Sequence, residues 1–186
     1  MLLKYLIGTL FIIGLMLLAK PSHFYLKGYV AQKLLESTWK KSKDKNQIIY
    51  PWIGAKSYPI GKISIEKINL SYIILGGDMK QSLNFGIAHI ENTTKPGNNG
   101  NIGLAGHRDS FFKKLEKIHL GDIIEIDSIK GFSNFKVVDI QIISPNEMHW
   151  LNQTEENLLT LVTCYPFDYI GDAPMRYIIR AKTIKS

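Results

Sequence analysis

The most reactive side chain that this sequence offers is the thiol of Cys164, the only cysteine among 186 residues. It lies near the end of the apolar run LLTLVTCYP, residues 158–166. A lone cysteine cannot form an intramolecular disulfide, so the thiol is either a small buried hydrophobe or a nucleophile. Free cysteines are usually buried, which by itself favours the first interpretation. The residues that accompany the thiol decide between the two.

A histidine and an arginine favour the nucleophile. His107 lies in a turn within LAGHRD, and Arg176 follows Cys164 by twelve positions in PMRYIIRAK. A reactive thiolate needs a base or a cation beside it. Acyl transfer also needs a donor for the charge that develops on the carbonyl oxygen. Arg180, on the same predicted strand and with the same parity as Arg176, is the alternative arginine.

The N-terminus contains a candidate membrane segment. Residues 5–19 carry no charge, and with its flanks this stretch approaches membrane-spanning length. The small residues expected at a signal-peptidase site are missing, because two leucines precede Ala19. We therefore predict an uncleaved signal anchor over residues 1–20. The lysines on its two sides do not by themselves favour an outside C-terminus.

The chain is basic, with 23 lysines and arginines against 16 acidic residues and a formal charge of +7. Part of the excess follows the apolar segment, at Lys40, Lys41, Lys43 and Lys45. Such a run is usually a solvated linker, although it also suits contact with anionic lipid or cell-wall polymer. Aromatic and basic residues do not interleave as they do on base-stacking surfaces, so nucleic-acid binding is not predicted.

Residues 21–55 are predicted to form an amphipathic helix and a linker. Within the stretch Phe24 to Trp39, apolar residues recur at roughly helical spacing at Leu26, Tyr29, Val30 and Leu34. We interpret this helix as a spacer without chemistry. Residues 42–47 are polar and indicate a linker, and the prolines and glycines of residues 50–61 predict irregular structure.

Residues 56–186 are predicted to form an all-β domain. Polar and apolar residues alternate in at least six short runs separated by turns, which favours a small barrel or sandwich. Asp109 is placed to cap a short helix in which Phe112, Leu115 and Ile118 recur. The sequence has no glycine-rich phosphate loop and no compact cluster of metal ligands, so no cofactor and no metal are predicted.

Several segments, in order, resemble the sortases, which are cysteine transpeptidases of Gram-positive bacteria. TLVTC, which ends at Cys164, is similar to the segment around their nucleophile, and LAGHRDSFF, which contains His107, is similar to their histidine segment. GDIIEI matches the strand that follows, and Arg176 falls at the sortase arginine position, which favours it over Arg180. The similarity extends from about Gly61 to Lys182, and its C-terminal part is most like the class D sortases.

This resemblance implies a closed eight-stranded β-barrel with short helices, and the uncharged stretch of residues 5–19 predicts an N-terminal transmembrane helix before it. It implies that Cys164 attacks the carbonyl between Thr and Gly of a Leu-Pro-x-Thr-Gly-like sorting signal. The amine of a peptidoglycan precursor then resolves the thioester. His107 would stabilise the thiolate or protonate the leaving amine, and Arg176 would bind the oxyanion.

The same resemblance implies partners and further site residues. The expected partners are surface proteins that carry the sorting signal, and the expected location is the cell membrane with the catalytic domain outside. The substrate-binding residues it implies are Leu104, Ala105 and Thr163 at the floor of the cleft, and Tyr165 through its backbone N–H. His89 is expected to order a loop rather than to act in catalysis.

Three alternative functions stay open at the level of sequence. A pilin-polymerising sortase has the same chemistry but usually carries a lid with an acidic-Pro-aromatic motif. Tyr50-Pro51-Trp52 has the Pro-aromatic part without the acid, which disfavours a lid. A hydrolytic cysteine protease would use the same residues with water as the acceptor. A catalytically silent β-barrel interaction module is the third alternative.

Overall fold

The computed structural model describes one long stretch of the chain and five isolated residues before it: residues 30–184, and Lys4, Ile7, Gly8, Gly14 and Gly28. Most of the predicted anchor, residues 1–20, lies outside the described residues, as do Leu26 and Tyr29 of the predicted helix. In the part of the chain that is described, no helix is long and apolar enough to cross a membrane.

Eight strands close into one barrel. They are β1 (Ser57–Ile65), β2 (Leu70–Gly77), β3 (Ile87–His89), β4 (Asn101–Ala105), β5 (Ile123–Ser128), β6 (Gly131–Ile143), β7 (Leu158–Tyr165) and β8 (Met175–Ile184). Their order is β1-β2-β3-β4-β7-β8-β6-β5, and β5 pairs with β1. The pairs β2–β3 and β4–β7 are parallel, whereas the others are antiparallel. The closed eight-stranded barrel is therefore confirmed.

Alternation along the strands fills the interior of the barrel. On β7 and β8 the fully buried inward side chains are those of Leu159, Leu161, Ile179 and Ala181. Successive side chains of a strand point to opposite faces of the sheet. The intervening residues of β7 and β8, Cys164 among them, therefore point to the outer face of the barrel.

Strand β1 begins earlier than predicted, inside the segment expected to be irregular. It contains Pro59, and its pairing with β2 shifts register between Pro59 and Gly61. Proline cannot donate to a sheet ladder and is tolerated in strands mainly at edges and bulges. The prolines and glycines of residues 50–61 thus mark a bulge within a strand as well as a loop before it. β3, only three residues long, is too short to show alternation and was not predicted.

The helix expected after the histidine segment is a 3₁₀ helix, Lys113–Lys117. It begins later than predicted, and the residue before it is Phe112, so Asp109 does not cap it. The buried residues Phe112, Leu115 and Ile118 recur at intervals of three. That interval matches the three residues per turn of a 3₁₀ helix better than the 3.6 of an α-helix.

A helix before the barrel, α1, runs continuously through residues 30–45 of the described chain and therefore includes part of the predicted linker. Its buried apolar residues are Leu35 and Trp39, which pack against Ile73 and Leu75 of β2. Val30 and Leu34, which were predicted to define the apolar face, are 47% and 41% exposed. The helix is therefore not a free spacer, because it covers the outer face of β2, and that it carries no chemistry stays a prediction.

Polar contacts also join α1 to β5, which neighbours β1 on the side away from β2. Trp39 Nε1 donates to Asp127 Oδ2 on β5 at 3.3 Å, and Lys43 Nζ donates to Asp127 Oδ1 at 2.6 Å. The Lys43 ammonium also lies 4.5 Å from the centroid of the Phe132 ring on β6. The Asp127 carboxylate therefore accepts hydrogen bonds from two side chains of α1 that are one helical turn apart. A second, short helix, α2 (Met79–Phe85), contributes the Phe85 carbonyl, to which Gln32 Nε2 donates.

We expect Trp39→Ala to lower the free energy of unfolding by about 3–5 kcal/mol, because it leaves a cavity against β2. Leu34→Ala, on the exposed face of the same helix, is the matched control and should change it by less than about 0.5 kcal/mol. Chemical denaturation of the purified chain, followed by far-UV circular dichroism, measures both. Equal effects of the two substitutions would contradict the docking of α1.

Candidate active site

The cysteine and the arginine lie opposite each other on neighbouring strands. In the antiparallel pair of β7 and β8, Cys164 is the register partner of Arg176. Directly opposed residues of an antiparallel pair have Cβ atoms about 4.5–5.5 Å apart. Both residues are partly exposed on the outer face of the barrel. The guanidinium can therefore reach an atom bound to the sulfur.

The histidine reaches the same place from the other neighbour of β7. Strand β4 runs parallel to β7, with Ala105 opposite Val162, and the Gly106 N–H still donates to the Val162 carbonyl at 3.3 Å. The Thr163 hydroxyl donates to the Gly106 carbonyl at 2.7 Å. Continuing this register for two residues beyond the Ala105–Val162 pair, past the end of β4, would bring His107 level with Cys164.

A tight turn presents His107 to solvent. The His107 carbonyl accepts from the Phe112 N–H at 2.9 Å, which closes the turn, and the Phe112 ring then packs against Gly106. A Cβ atom at Gly106 would lie 2.8 Å from that ring, so a side chain there would displace Phe112 or the turn. The His107 residue itself is exposed. Gly106 is thus required by the close approach of the buried phenylalanine.

The two candidate arginines have different surroundings. Arg176 Nη1 donates to the carbonyls of Ala173 at 3.2 Å and Met175 at 3.0 Å. Arg180 is opposite Thr160, and its guanidinium carbon lies 5.2 Å from the centroid of the Trp150 ring. Four residues of strand separate the two arginines by about 13 Å. Arg176 is therefore the arginine that lies opposite the thiol.

A groove of about 320 Å³ leads to Arg176 along the outer face of the barrel. Strand residues Ala105, Val162 and Ile178 form part of its lining. Most of the remaining wall comes from the end of β6 and the segment before β7, with apolar side chains at Ile143, Pro145, Met148, Trp150 and Leu151. Apolar side chains dominate the groove, which suits an extended peptide with apolar residues.

The implied substrate-binding residues divide between the two faces of the barrel. Ala105 lines the groove. Leu104 is fully buried in the core, and Thr163 is buried with its hydroxyl bonded to Gly106, so neither side chain lies in the groove. These two assignments are corrected: both residues position strands. The reason is that successive side chains of a strand point to opposite faces. Leu104 and Thr163 point inward, whereas their neighbours Ala105 and Cys164 point outward.

Tyr165 belongs to an aromatic cluster at the end of the barrel. Its ring stacks on Tyr177 at 6.0 Å between centroids, and both rings contact Phe167. Burial raises the pKa of Tyr177, and the proximity of Tyr165 adds to this effect. Both tyrosine rings pack against the core. The ring of Tyr165 is thus structural, and the donor role of its backbone N–H stays a prediction.

His89 orders a loop. Its Nε2 lies 3.0 Å from the Thr94 carbonyl and 3.2 Å from the Thr93 hydroxyl. Burial lowers the pKa of His89, and the hydrogen bond to Thr94 only partly opposes that effect. A neutral imidazole that donates to the Thr94 carbonyl accounts for these contacts.

Two features of the site were missed in the sequence. One is the groove wall before β7, whose signal was the apolar residues Met148, Trp150 and Leu151 in an otherwise polar connection. The other is Arg108, whose guanidinium contacts the connection between β7 and β8. No sequence pattern indicated that contact. Among the described residues, no three His, Cys, Asp or Glu side chains gather into a possible metal site.

The fold and the site define a class: closed β-barrels with a cysteine, a histidine and an arginine at the ends of adjacent strands. A family model for the sortase domain matches residues 63–184. The chain belongs to the sortase family, and the resemblance seen in the sequence is confirmed.

Individual relatives agree with this assignment. Sortase D of Bacillus subtilis (strain 168) is 34% identical over 125 residues, which are 67% of this chain and 63% of that protein. The chain thus spans less than two thirds of that relative. Sortase A of Bacillus anthracis is 25% identical over 193 residues, covering 91% of this chain and 89% of that protein.

Solved structures are similar as well. The Clostridium perfringens Sortase D5 transpeptidase superposes with a TM-score of 0.67 at 29% identity, covering 84% of this chain and 98% of that chain. Sortase C1 of Streptococcus agalactiae superposes with a TM-score of 0.64 at 29% identity, covering 69% of this chain and 68% of that chain.

Proposed function

We propose that the protein is a membrane-anchored cysteine transpeptidase that attaches surface proteins to the cell wall. Its substrate is a Leu-Pro-x-Thr-Gly-like sorting signal, which it cleaves between Thr and Gly. The observation that carries the proposal is the pairing of Cys164 with Arg176 across β7 and β8, at an apolar groove that Arg176 lines. The parallel pairing of β4 with β7 supports a place for His107 near the thiol, because His107 follows the end of β4 by two residues. Membership of the sortase family supports the reaction type.

In the first step Cys164 gives its proton to His107, and the resulting thiolate sulfur forms a bond to the threonine carbonyl carbon. The π electrons of the carbonyl move onto its oxygen, and Arg176, which stays charged at any working pH, donates to that oxyanion. When the carbonyl re-forms, the C–N bond to glycine breaks. His107 delivers the proton that the leaving amine needs, and a thioester on Cys164 results.

The second step runs the same chemistry in the opposite direction. A cell-wall amine adds to the thioester carbonyl, and His107 takes the proton that the amine must lose. The C–S bond then breaks, and Cys164 leaves as a thiolate. The net result exchanges one amide for another, so no cofactor or energy source is required.

The apolar groove supports a peptide substrate of this kind. It accommodates apolar side chains through Ile143, Met148, Val162 and Ile178, while the guanidinium of Arg176 stands at the groove for a carbonyl oxygen. The apolar residues of a Leu-Pro-containing signal match such a surface. Glu147 is the acidic residue of the lining.

Location and orientation are part of the proposal. Residues 1–20 would anchor the protein, and the barrel would face the cell wall, where sorting signals and amine acceptors are found. The exposed lysines Lys40, Lys41 and Lys45 of α1 are placed to contact anionic lipid or cell-wall polymer near the anchor.

A lid of the pilin-polymerising kind is not favoured. Trp52 packs against Phe85 at 5.1 Å between ring centroids, and Tyr50 packs against Tyr58 at 5.3 Å. Neither lines the groove. The Pro-aromatic segment therefore covers the side of the barrel that carries α1 and α2, which favours a sortase with an open cleft.

A peptide-ligation assay tests the proposal. The full chain is incubated with a library of Leu-Pro-x-Thr-Gly-like peptides, with and without an added amine, and the products are identified by mass spectrometry. Cleavage after Thr with an amine adduct supports a transpeptidase. Cleavage that never yields an adduct with any amine would identify a hydrolytic protease. A folded protein that cleaves no peptide would indicate the silent interaction module.

We expect Arg176→Lys to slow formation of the acyl-enzyme by about 10²- to 10³-fold, because an ammonium keeps the charge but loses the planar fork. Arg180→Lys is the matched control on the same face of β8 and should leave the rate within about threefold, because its partner is the Trp150 ring. Quenched-flow mass spectrometry of the thioester measures both rates. A silent Arg176→Lys beside an inactive Arg180→Lys would show that the arginine assignment is reversed.

A further inference from the structure

Arg108, the residue after the histidine, holds the connection between β7 and β8. Its Nη2 donates to the Tyr169 carbonyl at 2.6 Å and to the Gly171 carbonyl at 2.8 Å. The residue between these carbonyls, Ile170, has a side chain that is 96% exposed and makes no core contact to hold the loop. The loop tip is therefore fixed through its backbone, by one guanidinium from the turn that carries His107.

The other end of the same connection is bonded to Arg176. Arg176 Nη1 donates to the carbonyls of Ala173 and Met175, at 3.2 and 3.0 Å. Residues 166–174 thus lie between two guanidinium groups. One belongs to the histidine turn, and the other is opposite the thiol.

We propose that Arg108 is a positioning residue for Arg176. It holds the Tyr169 and Gly171 carbonyls, which fixes the path of the connection beyond the buried Phe167. That path fixes the Ala173 carbonyl, which together with the Met175 carbonyl at the start of β8 orients the guanidinium of Arg176. The inference rests on the proposed function, because it assigns Arg108 a part in forming the thioester.

The physical reason lies in the sensitivity of acyl transfer to position. An oxyanion donor is effective only when it is held about 2.7–3.1 Å from the position that the oxyanion will occupy. A displacement of about 1 Å can cost about 100-fold in rate. A loop with an exposed tip moves readily unless its backbone is bonded, and Arg108 supplies two such bonds. Arg108 has no place in the groove lining, so substrate affinity should be spared.

The test compares Arg108→Ala with Arg108→Lys, with Gly171→Ala and with the control Ile170→Ala. Arg108→Ala is expected to lower kcat for peptide ligation by about ten- to hundredfold with KM within about twofold. Arg108→Lys, which can still donate to a carbonyl, should restore part of the loss. Gly171 has a φ of +96°, so Gly171→Ala strains the accepting backbone and should reduce kcat in the same way. Ile170→Ala leaves both carbonyls in place and should keep the wild-type kcat.

A double-mutant cycle separates positioning from a general loss of stability. In an Arg176→Lys background, Arg108→Ala should lower kcat by less than about threefold further, because its effect passes through Arg176. The same loss in both backgrounds would overturn the proposal, and so would an Arg108→Ala variant with wild-type kcat.

Hydrogen exchange distinguishes failure of this inference from failure of the proposed function. The amides of residues 168–173 should exchange at least about tenfold faster in Arg108→Ala than in the wild type, whether or not any peptide is turned over. Unchanged hydrogen exchange would show that Arg108 does not hold the connection between β7 and β8, which would overturn the proposal. A wild type that ligates no peptide would contradict the proposed function, and the positioning role would fall with it. Faster exchange in Arg108→Ala would still establish that Arg108 holds the backbone of the connection between β7 and β8.

Discussion

Replacing Cys164 with alanine is expected to abolish both cleavage and ligation, with a fall of at least about 10⁴-fold in kcat. The thiol is the only one in the chain, so no other cysteine can take over the attack. The side chain is small and partly exposed, and the loss of one sulfur should leave the barrel folded. Mass spectrometry of the peptide products, together with a thermal melt of the variant, measures both expectations.

The single thiol also provides an internal check on this result. A thiol-directed reagent should add one label to the wild type and none to Cys164→Ala, and the labelled wild type should lose ligation in step with the fraction labelled. Thr163→Ser is a useful neighbour control, because it keeps the hydroxyl that donates to Gly106 and should retain most activity. Ligation by a folded Cys164→Ala variant would contradict the proposed mechanism.

Replacing His107 with alanine is expected to reduce ligation by about 10²- to 10⁴-fold, the range that a positioned acid–base group supplies. The loss should fall on both formation and resolution of the thioester, because the leaving amine needs a proton and the attacking amine must lose one. His107 is exposed, so the stability of the barrel should change little. Single-turnover kinetics, with and without an added amine, separate the two steps.

His119→Ala is the matched control for the histidine. His119 is also exposed, and the hydrogen bond that it makes to Asp122 comes from its backbone N–H, which the substitution retains. The kcat of the His119→Ala variant should stay near that of the wild type. Equal losses in the two variants, or a His107→Ala variant that forms and resolves the thioester at normal rates, would remove His107 from the mechanism.

The strands that carry the site could be predicted because their apolar runs are long and end at identifiable residues. The apolar run that contains Cys164 became β7, and the run that contains Arg176 and Arg180 became β8. What the sequence could not supply is which neighbours β7 takes. Its pairing with β4 is parallel and joins residues more than 50 positions apart, and no local pattern specifies such a contact.

The outward or inward direction of each side chain was predicted less well than the strands. Leu104 and Thr163 were assigned to the cleft from their positions in the two motifs, where Thr163 adjoins Cys164 and Leu104 precedes His107 by three residues. In a strand, residues an odd number of positions apart point to opposite faces, so Thr163 and Leu104 face the interior although they lie near Cys164 and His107 in the chain. Ala105, separated from His107 by one residue, follows the parity rule and lines the groove.

The docking of α1 left a signal in β2 rather than in the helix. The run Ile73, Ile74 and Leu75 is apolar without alternation, and all three side chains are buried. Such a run indicates a strand covered on both faces. Ile74 faces the barrel core, whereas Ile73 and Leu75 face Leu35 and Trp39. A two-faced strand in a small barrel therefore predicts a covering element, and the helix before the barrel was the available one.

Closure of the barrel has a consequence for how a peptide is recognised. Each of the eight described strands already has two hydrogen-bonded neighbours. An extended peptide can therefore add as a further strand, the mode in which backbone bonds provide most of the affinity, only where one strand outruns a neighbour, as β6 does beyond its pairing with β5. Elsewhere on the barrel, recognition has to come from side chains that fit the outer face, and a proline in the peptide then loses no ladder bond. A largely closed sheet therefore accommodates a proline in its ligand better than an open edge would.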